Sequence, residues 1–269
     1  MKNIIVSLCT FLLYTSLFAQ DDSFLKRLED SPRHHEWVKI KQGDRELHSF
    51  LVFPEVKEKV MAVIVIHENK GLNDWARGMA DQIAEAGYIA IAPDLLSGAG
   101  PDGGKTADFE NSDAARTAIY GLAPDQVTKD LNAVYEYVKT LDATNGKVAV
   151  IGFCWGGSQT FRYVTNNSAL EAAFVCYGGA PKDSTAFANI NTPVYGFYGG
   201  NDARVNAGIP SAKETMEKNE KFYEPVIYEG AGHGFFRAGE MPNASEANAK
   251  AREEGLARLK KLLDSFNTN

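Results

Sequence analysis

Short, continuous apolar runs recur along the chain. The segments 60–66 (VMAVIVI), 88–93 (YIAIAP) and 147–153 (KVAVIGF) contain almost no polar residues. Such runs are typical of strands that are buried on both faces of a parallel sheet. Further strands are predicted at 170–179, 192–200 and 223–233.

The N-terminal part shows a different pattern. Residues 35–41 and 45–54 alternate or run apolar, and Gly43 and Asp44 lie between them. This pattern predicts an antiparallel hairpin. A short polar, helical segment at 21–30 precedes it.

Segments with helical spacing separate the predicted parallel strands. In 74–88, for example, Trp75, Met79 and Ile83 recur on one face before Gly87 ends the pattern. Helices are also predicted at 123–146, 158–164, 209–219 and 245–266.

The alternation of strands and helices indicates an α/β fold. It predicts a mostly parallel central sheet of about eight strands with helices on both faces. Residues 20–269 contain no internal repeat, low-complexity tract or linker, so we expect one domain. Residues 96–124 are rich in Gly, Pro and Ser, and we expect them to form an irregular excursion over the surface near a site.

Composition narrows the classes of partner. The chain has 269 residues, of which 44% are hydrophobic, and a formal net charge of −7. An acidic surface does not attract nucleic acid or an anionic membrane, so we expect neither as a partner. We therefore expect a small-molecule substrate.

The first 19 residues resemble an export signal. Lys2 precedes an apolar stretch from Ile4 to Leu13, and Ala19 is a small residue at a plausible cleavage point. We expect residues 1–19 to be a signal peptide and the mature protein, residues 20–269, to be periplasmic or extracellular, without stable membrane association. An uncleaved anchor is the alternative.

Cys154 and Cys176 remain after cleavage of this segment. An oxidising compartment would permit one disulfide between them. The two residues follow different predicted strands, so we favour two free thiols, although the sequence leaves the pairing open.

Cys154 occupies a turn with a specific pattern. Gly152-Phe153-Cys154-Trp155-Gly156 matches the nucleophile elbow G-x-[nucleophile]-x-G, between a predicted strand and a helix. The turn is so tight that side chains two residues on either side of the nucleophile would clash. The following helix N-terminus would stabilise a thiolate. Without the glycines, a lone cysteine here would more often be inert core.

The order of residues along the chain supports catalysis. Only His233 of the five histidines follows Cys154, and Asp202 lies between them in a glycine-rich turn. This is the order nucleophile, acid, base that the α/β-hydrolase fold uses. We expect Cys154 to attack a carbonyl, His233 to act as base and Asp202 to orient the imidazole. Considered alone, Asp202 could instead cap a helix or turn, and His233 could be an ordinary loop residue without a catalytic role.

An oxyanion site is also expected. The backbone N–H of Trp155 and one from the loop after residues 60–68, assigned to Asn69, would hold the developing charge.

Five segments together resemble the dienelactone hydrolase family of α/β-hydrolases. In chain order they are VIHENKGLNDW, GYIAIAPDLL, GFCWGGSQ, YGFYGGNDARV and GAGHGFFR. The resemblance implies hydrolysis of a lactone or carboxylic ester through a thioester, without a metal or other cofactor. It also implies that Glu68 pairs with the resting Cys154 thiol and that Arg237 binds a substrate carboxylate.

One family feature is missing. The family carries a second carboxylate-binding arginine shortly after the APDL strand, where Gly98 stands here. Arg204 and Arg116 are possible replacements. We therefore expect a lactone or carboxylic ester other than dienelactone.

Two other classes of function remain open at this stage. The chain could be an exported, non-catalytic binding protein on the same fold. Alternatively, Cys154 could serve a thiol redox or sensing role, although the sequence lacks a C-x-x-C motif.

Overall fold

The structure is a computed structural model that describes residues 18–267, with side chains from residue 23 onward. Most of the predicted signal peptide, residues 1–17, therefore lies outside the described residues. Eight strands form one sheet in the order β1-β2-β4-β3-β5-β6-β7-β8. Their bounds are β1 His34–Gln42, β2 Arg45–Phe53, β3 Val60–Ile66, β4 Ile89–Pro93, β5 Thr144–Phe153, β6 Ala173–Cys176, β7 Val194–Gly199 and β8 Tyr223–Tyr228.

Helices connect these strands. Their bounds are α1 Phe18–Glu29, α2 Asp74–Glu85, α3 Ser112–Tyr120, α4 Pro124–Lys139, α5 Trp155–Tyr163, α6 Ala203–Asn206, α7 Ile209–Lys218, α8 Phe235–Ala238 and α9 Glu246–Asn267. No helix within residues 18–267 is long and apolar enough to cross a membrane.

The predicted topology is confirmed. Strands β1 and β2 form the antiparallel hairpin, with Gly43 at φ +59° in its turn, and β2 also pairs antiparallel with β4. All other neighbouring strands pair parallel. Because β3 and β5 lie at the centre, covered on both faces, every residue of β3 is buried, as its uninterrupted apolar run predicts.

Two apolar layers fill the space on either side of the sheet. Leu131 of α4, Phe161 of α5 and Met216 of α7 belong to one layer. Met79 of α2 and Leu259 of α9 belong to the other. The central strands of the sheet are therefore sandwiched between helices, whereas the edge strands β1 and β8 keep exposed residues along their length.

Residues 96–124 are more ordered than expected. They contain two short 3₁₀ turns and α3, which the sequence did not reveal. The Asn111 side chain caps α3 by accepting from the N–H groups of Asp113 and Ala114, and Ile119 is buried. The helix has only nine residues, of which two are buried, so it contains too few apolar positions to stand out within a Gly-rich segment.

Candidate active site

The turn between β5 and α5 has the geometry expected of the elbow. Cys154 adopts φ +55°, ψ −112°, a strained conformation for a residue with a side chain. A Cβ atom at Gly152 would lie 2.2 Å from the Gly156 carbonyl oxygen, and one at Gly156 would lie 2.4 Å from the Ile66 carbonyl oxygen. Both glycines are therefore required by close backbone approach.

The structure brings Cys154, His233 and Asp202 together. The His233 ring places Nε2 3.2 Å from Cys154 Sγ and Nδ1 2.5 Å from an Asp202 carboxylate oxygen. Asp202 follows β7 and is only 6% exposed. Its other oxygen accepts from the Val205 N–H at 3.4 Å. Asp202 thus caps α6 and bonds the imidazole at the same time, so the two interpretations of its sequence position are compatible.

The loop between β8 and α8 carries His233 and is fixed on both sides. The N–H of Gly232 donates to Asn248 Oδ1 at 2.8 Å, and Gly234 adopts φ +75°. The ring of Tyr177 packs edge-on against His233, with ring centroids 5.1 Å apart. These contacts hold the imidazole where it can exchange a proton with the sulfur.

The thiol of Cys154 is half-buried, and its pKa is raised to about 11. Burial is the main cause, and the negative charge of Glu68 adds to it. A hydrogen bond from the Trp155 backbone N–H and the charges of Arg204 and Arg237 act in the opposite direction. In this arrangement the sulfur is therefore a protonated thiol at neutral pH.

Glu68 follows β3 and is 5% exposed. Its Oε2 accepts from Arg237 Nε at 2.9 Å, and its Oε1 accepts from the Tyr177 hydroxyl at 3.3 Å. The resemblance implied a pairing of Glu68 with the thiol, but the hydrogen-bond partner of the thiol here is His233. A guanidinium is a stronger partner for a carboxylate than a thiol is, which explains this arrangement.

His67 supports the loop that carries Glu68 and Asn69. It is fully buried, and burial lowers its pKa. Its Nδ1 lies 2.8 Å from the Glu68 carbonyl oxygen, and Nε2 accepts from the Leu95 N–H at 3.3 Å. A neutral ring with its proton on Nδ1 satisfies both bonds. The sequence signal for this role is a histidine directly after a buried strand.

Trp155 and Asn69 flank the sulfur. The Trp155 indole stacks on the His67 ring at 5.6 Å between centroids. The Asn69 side chain donates to the Tyr120 hydroxyl at 3.3 Å, and its backbone N–H donates to no acceptor within residues 18–267. Both residues line one cavity with Cys154.

This cavity has a volume of about 590 Å³. It lies at the carboxyl ends of the parallel strands, where α/β sheets bind ligands. Asp202 lies behind His233 and does not line it, and Tyr120, Tyr177 and Ser158 line it without having been predicted to do so. The predicted residues that line it are Glu68, Asn69, Cys154, Trp155, His233 and Arg237.

Arg204 supplies a second guanidinium to the cavity. Arg116 does not line it and pairs instead with Asp113 at 3.6 Å. Gly98 lies against the Arg45 side chain. Gly98 itself supplies no side chain after β4, Arg45 does not line the cavity, and Arg204, which follows β7, introduces positive charge there.

Cys154 and Cys176 are both free thiols in the structure. Cys176 is fully buried, and burial raises its pKa well above the usual value. It is therefore an inert core residue, as the sequence favoured.

The fold and the elbow together define an α/β-hydrolase. A dienelactone hydrolase-like promiscuous phosphotriesterase from metagenomic libraries superposes with a TM-score of 0.74 at 21% identity, covering 88% of this chain and 99% of the other. The dienelactone hydrolase of Anabaena variabilis superposes with a TM-score of 0.62 at 18% identity, covering 87% and 96%.

The family follows from sequence. The sequence model of the dienelactone hydrolase family matches residues 47–267, and the chain belongs to this family. A Salmonella typhimurium protein named "Putative carboxymethylenebutenolidase" is 30% identical over 221 residues, covering 78% of this chain and 80% of the relative. A protein of the same name from Saccharolobus solfataricus is 29% identical, covering 81% and 93%.

Proposed function

We propose that this protein hydrolyses a lactone or carboxylic ester with Cys154 as the nucleophile. Membership of the dienelactone hydrolase family supports the reaction class. The single observation that carries the residue assignment is the continuous hydrogen-bonded chain from Cys154 Sγ through His233 to Asp202. A nucleophile, a base and a group that orients the base form the arrangement that acyl transfer requires.

The first half-reaction forms a thioester. Cys154 Sγ attacks the carbonyl carbon while His233 Nε2 accepts the thiol proton. The N–H groups of Trp155 and Asn69 hold the resulting oxyanion. The C–O bond then breaks, and the departing oxygen takes the proton from His233.

The second half-reaction releases the acid. Water attacks the thioester carbonyl as His233 accepts one of its protons. The C–S bond breaks, and the proton returns to sulfur. Throughout both halves Asp202 keeps the imidazole in the tautomer that presents Nε2 to the sulfur.

Glu68 and Arg237 regulate the thiol. While they remain paired, the Glu68 charge opposes formation of a thiolate. A substrate carboxylate that binds Arg237 competes with Glu68 for the guanidinium. Displacement of Glu68 then moves its negative charge away from the sulfur, so that His233 can take the thiol proton and the thiolate forms, in line with the shift of this acid that the family resemblance implies. A thiol that ionises only with substrate present is protected from oxidation.

The test is hydrolysis of p-nitrophenyl acetate by the mature protein. Cys154→Ala and His233→Ala should each lower kcat/KM by at least about 10²-fold. Mass spectrometry after brief mixing with ester should find the acyl group on Cys154. Wild-type rates in both variants, or an acyl adduct elsewhere, would reject the assignment. If the wild type binds an ester but does not turn it over, the protein is a non-catalytic binding protein. If the purified protein contains a Cys154–Cys176 disulfide, a redox role is favoured.

We also propose that residues 1–19 direct export and are then removed. N-terminal sequencing of protein from a cell envelope fraction should begin near residue 20. A protein that retains Met1 and remains in the cytosol would contradict this proposal.

A further inference from the structure

The active-site cavity does not end at the catalytic cysteine. A second cavity of about 430 Å³ shares Ser158, Gly179, Arg204 and Val205 with it. The two cavities are therefore adjacent, and Arg204 lines both; we call the pair the cleft. Glu68 and Arg237 line only the first cavity, so the second extends away from that ion pair.

The lining residues of this extension come from the segments 179–187 and 204–215, together with Ser158. It has a polar rim over a small apolar floor. The floor includes Phe187 and Ala212, which are buried. Hydroxyl groups of Ser184, Ser211 and Thr215 lie around it. Such a lining suits the chain of an organic substrate that ends in a polar group.

The charges of the extension are all positive. Among the residues that the structure describes, Arg204 and Lys182 line it and no acidic side chain does. Neither cation forms an ion pair within residues 18–267. The neighbouring Asp183 is turned to its own 3₁₀ turn, where it accepts from the N–H and hydroxyl of Thr185 at 2.9 and 2.7 Å. Both cations are therefore available to an anionic ligand.

Arg237 differs from Arg204 in having a carboxylate partner. Glu68 already balances its charge at 2.9 Å. Arg204 is exposed and has no such partner. An anionic group in the extension would therefore bind Arg204 without displacing any group of the protein, whereas an anion at Arg237 must compete with Glu68.

We propose that the extension binds an anionic group of the substrate, several bonds away from the scissile carbonyl, and that Arg204 and Lys182 hold it. This inference rests on the proposed function. It makes the substrate an elongated ester or lactone that carries an anionic group on its acyl or its departing side, with a carboxylate as the group that best matches the arginine fork. Arg204 then determines specificity for substrate length and charge.

The test compares matched esters. One series consists of p-nitrophenyl monoesters of glutaric, adipic and suberic acid, each beside its neutral methyl-capped counterpart. A second places the carboxylate on the departing side, with 4-acetoxybenzoate beside its methyl ester. In the wild type, kcat/KM should favour the anion in at least one series. Arg204→Gln should lower that preference by at least about tenfold, mainly through KM. Arg116→Gln, which removes an exposed cation outside the cleft, should preserve it.

A blocking variant tests the cavity independently of charge. Ser211→Trp should fill the extension and lower the ratio of kcat/KM for the suberate ester to that for acetate. An anion preference that is absent in both series, or that survives Arg204→Gln, overturns the inference and leaves the proposed function intact. If the wild type hydrolyses no ester, the proposed function fails. In that case, calorimetry with free adipate tests the extension separately from catalysis. Arg204→Gln must weaken the binding of adipate if the anion site exists.

Discussion

Replacing Glu68 by glutamine should make Cys154 more reactive toward a small alkylating agent. The side chain keeps its size, but the negative charge that raises the pKa of the thiol is lost. Arg237 also loses its partner, and its unbalanced positive charge lowers the pKa further. Both changes favour the thiolate, which is the form that reacts.

The size of the effect follows from the thiol pKa of about 11. At pH 8, roughly one thiol in a thousand is then ionised. A nearby charge typically shifts a pKa by about 1–2 units, which would raise the thiolate fraction about 10- to 100-fold. Because a weaker base is also a weaker nucleophile, the net gain in alkylation rate is about three- to tenfold.

The assay is the rate of iodoacetamide labelling between pH 7 and 9, followed by mass spectrometry of the Cys154 peptide. The wild-type rate should rise nearly tenfold per pH unit. Glu110→Gln, which removes an exposed carboxylate, is the matched control and should behave like the wild type. A wild-type rate that is independent of pH would show that the thiolate already dominates. Equal rates in the Glu68→Gln variant and the wild type would refute the electrostatic role of Glu68.

Three further changes test other parts of the structure. Gly156→Ala should destabilise the fold by about 1–3 kcal/mol in thermal unfolding, because its Cβ would meet the Ile66 carbonyl at 2.4 Å. The control Gly78→Ala in α2 should not destabilise the fold, because a Cβ atom there would have no neighbour within 4 Å. Asp202→Asn should lower kcat on aryl esters by up to about 10⁴-fold without changing the melting temperature comparably, since it favours the wrong His233 tautomer; a loss below tenfold would contradict its role. Burial alone would raise the pKa of Asp81, but bonds from Arg33, Ser31 and His35 outweigh it and lower the pKa. This carboxylate therefore stabilises the fold above its unfolded pKa of about 4, and the contribution is lost as pH falls through the folded value. Asp81→Ala should lower the free energy of unfolding by about 3 kcal/mol at pH 7 and flatten its decline in acid; an unchanged acid profile would argue against that network.

The sequence determined the architecture to a large extent. Continuous apolar runs such as 60–66 appear in the structure as buried strands, and the spacing of Trp75, Met79 and Ile83 appears as one face of α2. Gly152 and Gly156 marked the elbow because a tight turn excludes side chains at those two places. Each of these signals is local, and backbone sterics or hydrophobic periodicity over a few residues suffices to produce it.

Only the tertiary structure determined the distances between groups and the partners that chain order does not indicate. Cys154 and His233 are 79 positions apart, yet sheet order brings them to 3.2 Å. The partner of Glu68, the location of Arg204 and the adjacency of two cavities depend on how separate loops pack above the strand ends. No periodicity encodes these distances, because an ion pair or a cavity wall is set by the positions of several elements at once. Local patterns thus indicated most of the elements and the candidate residues, whereas the balance of charge around the sulfur depends on packing.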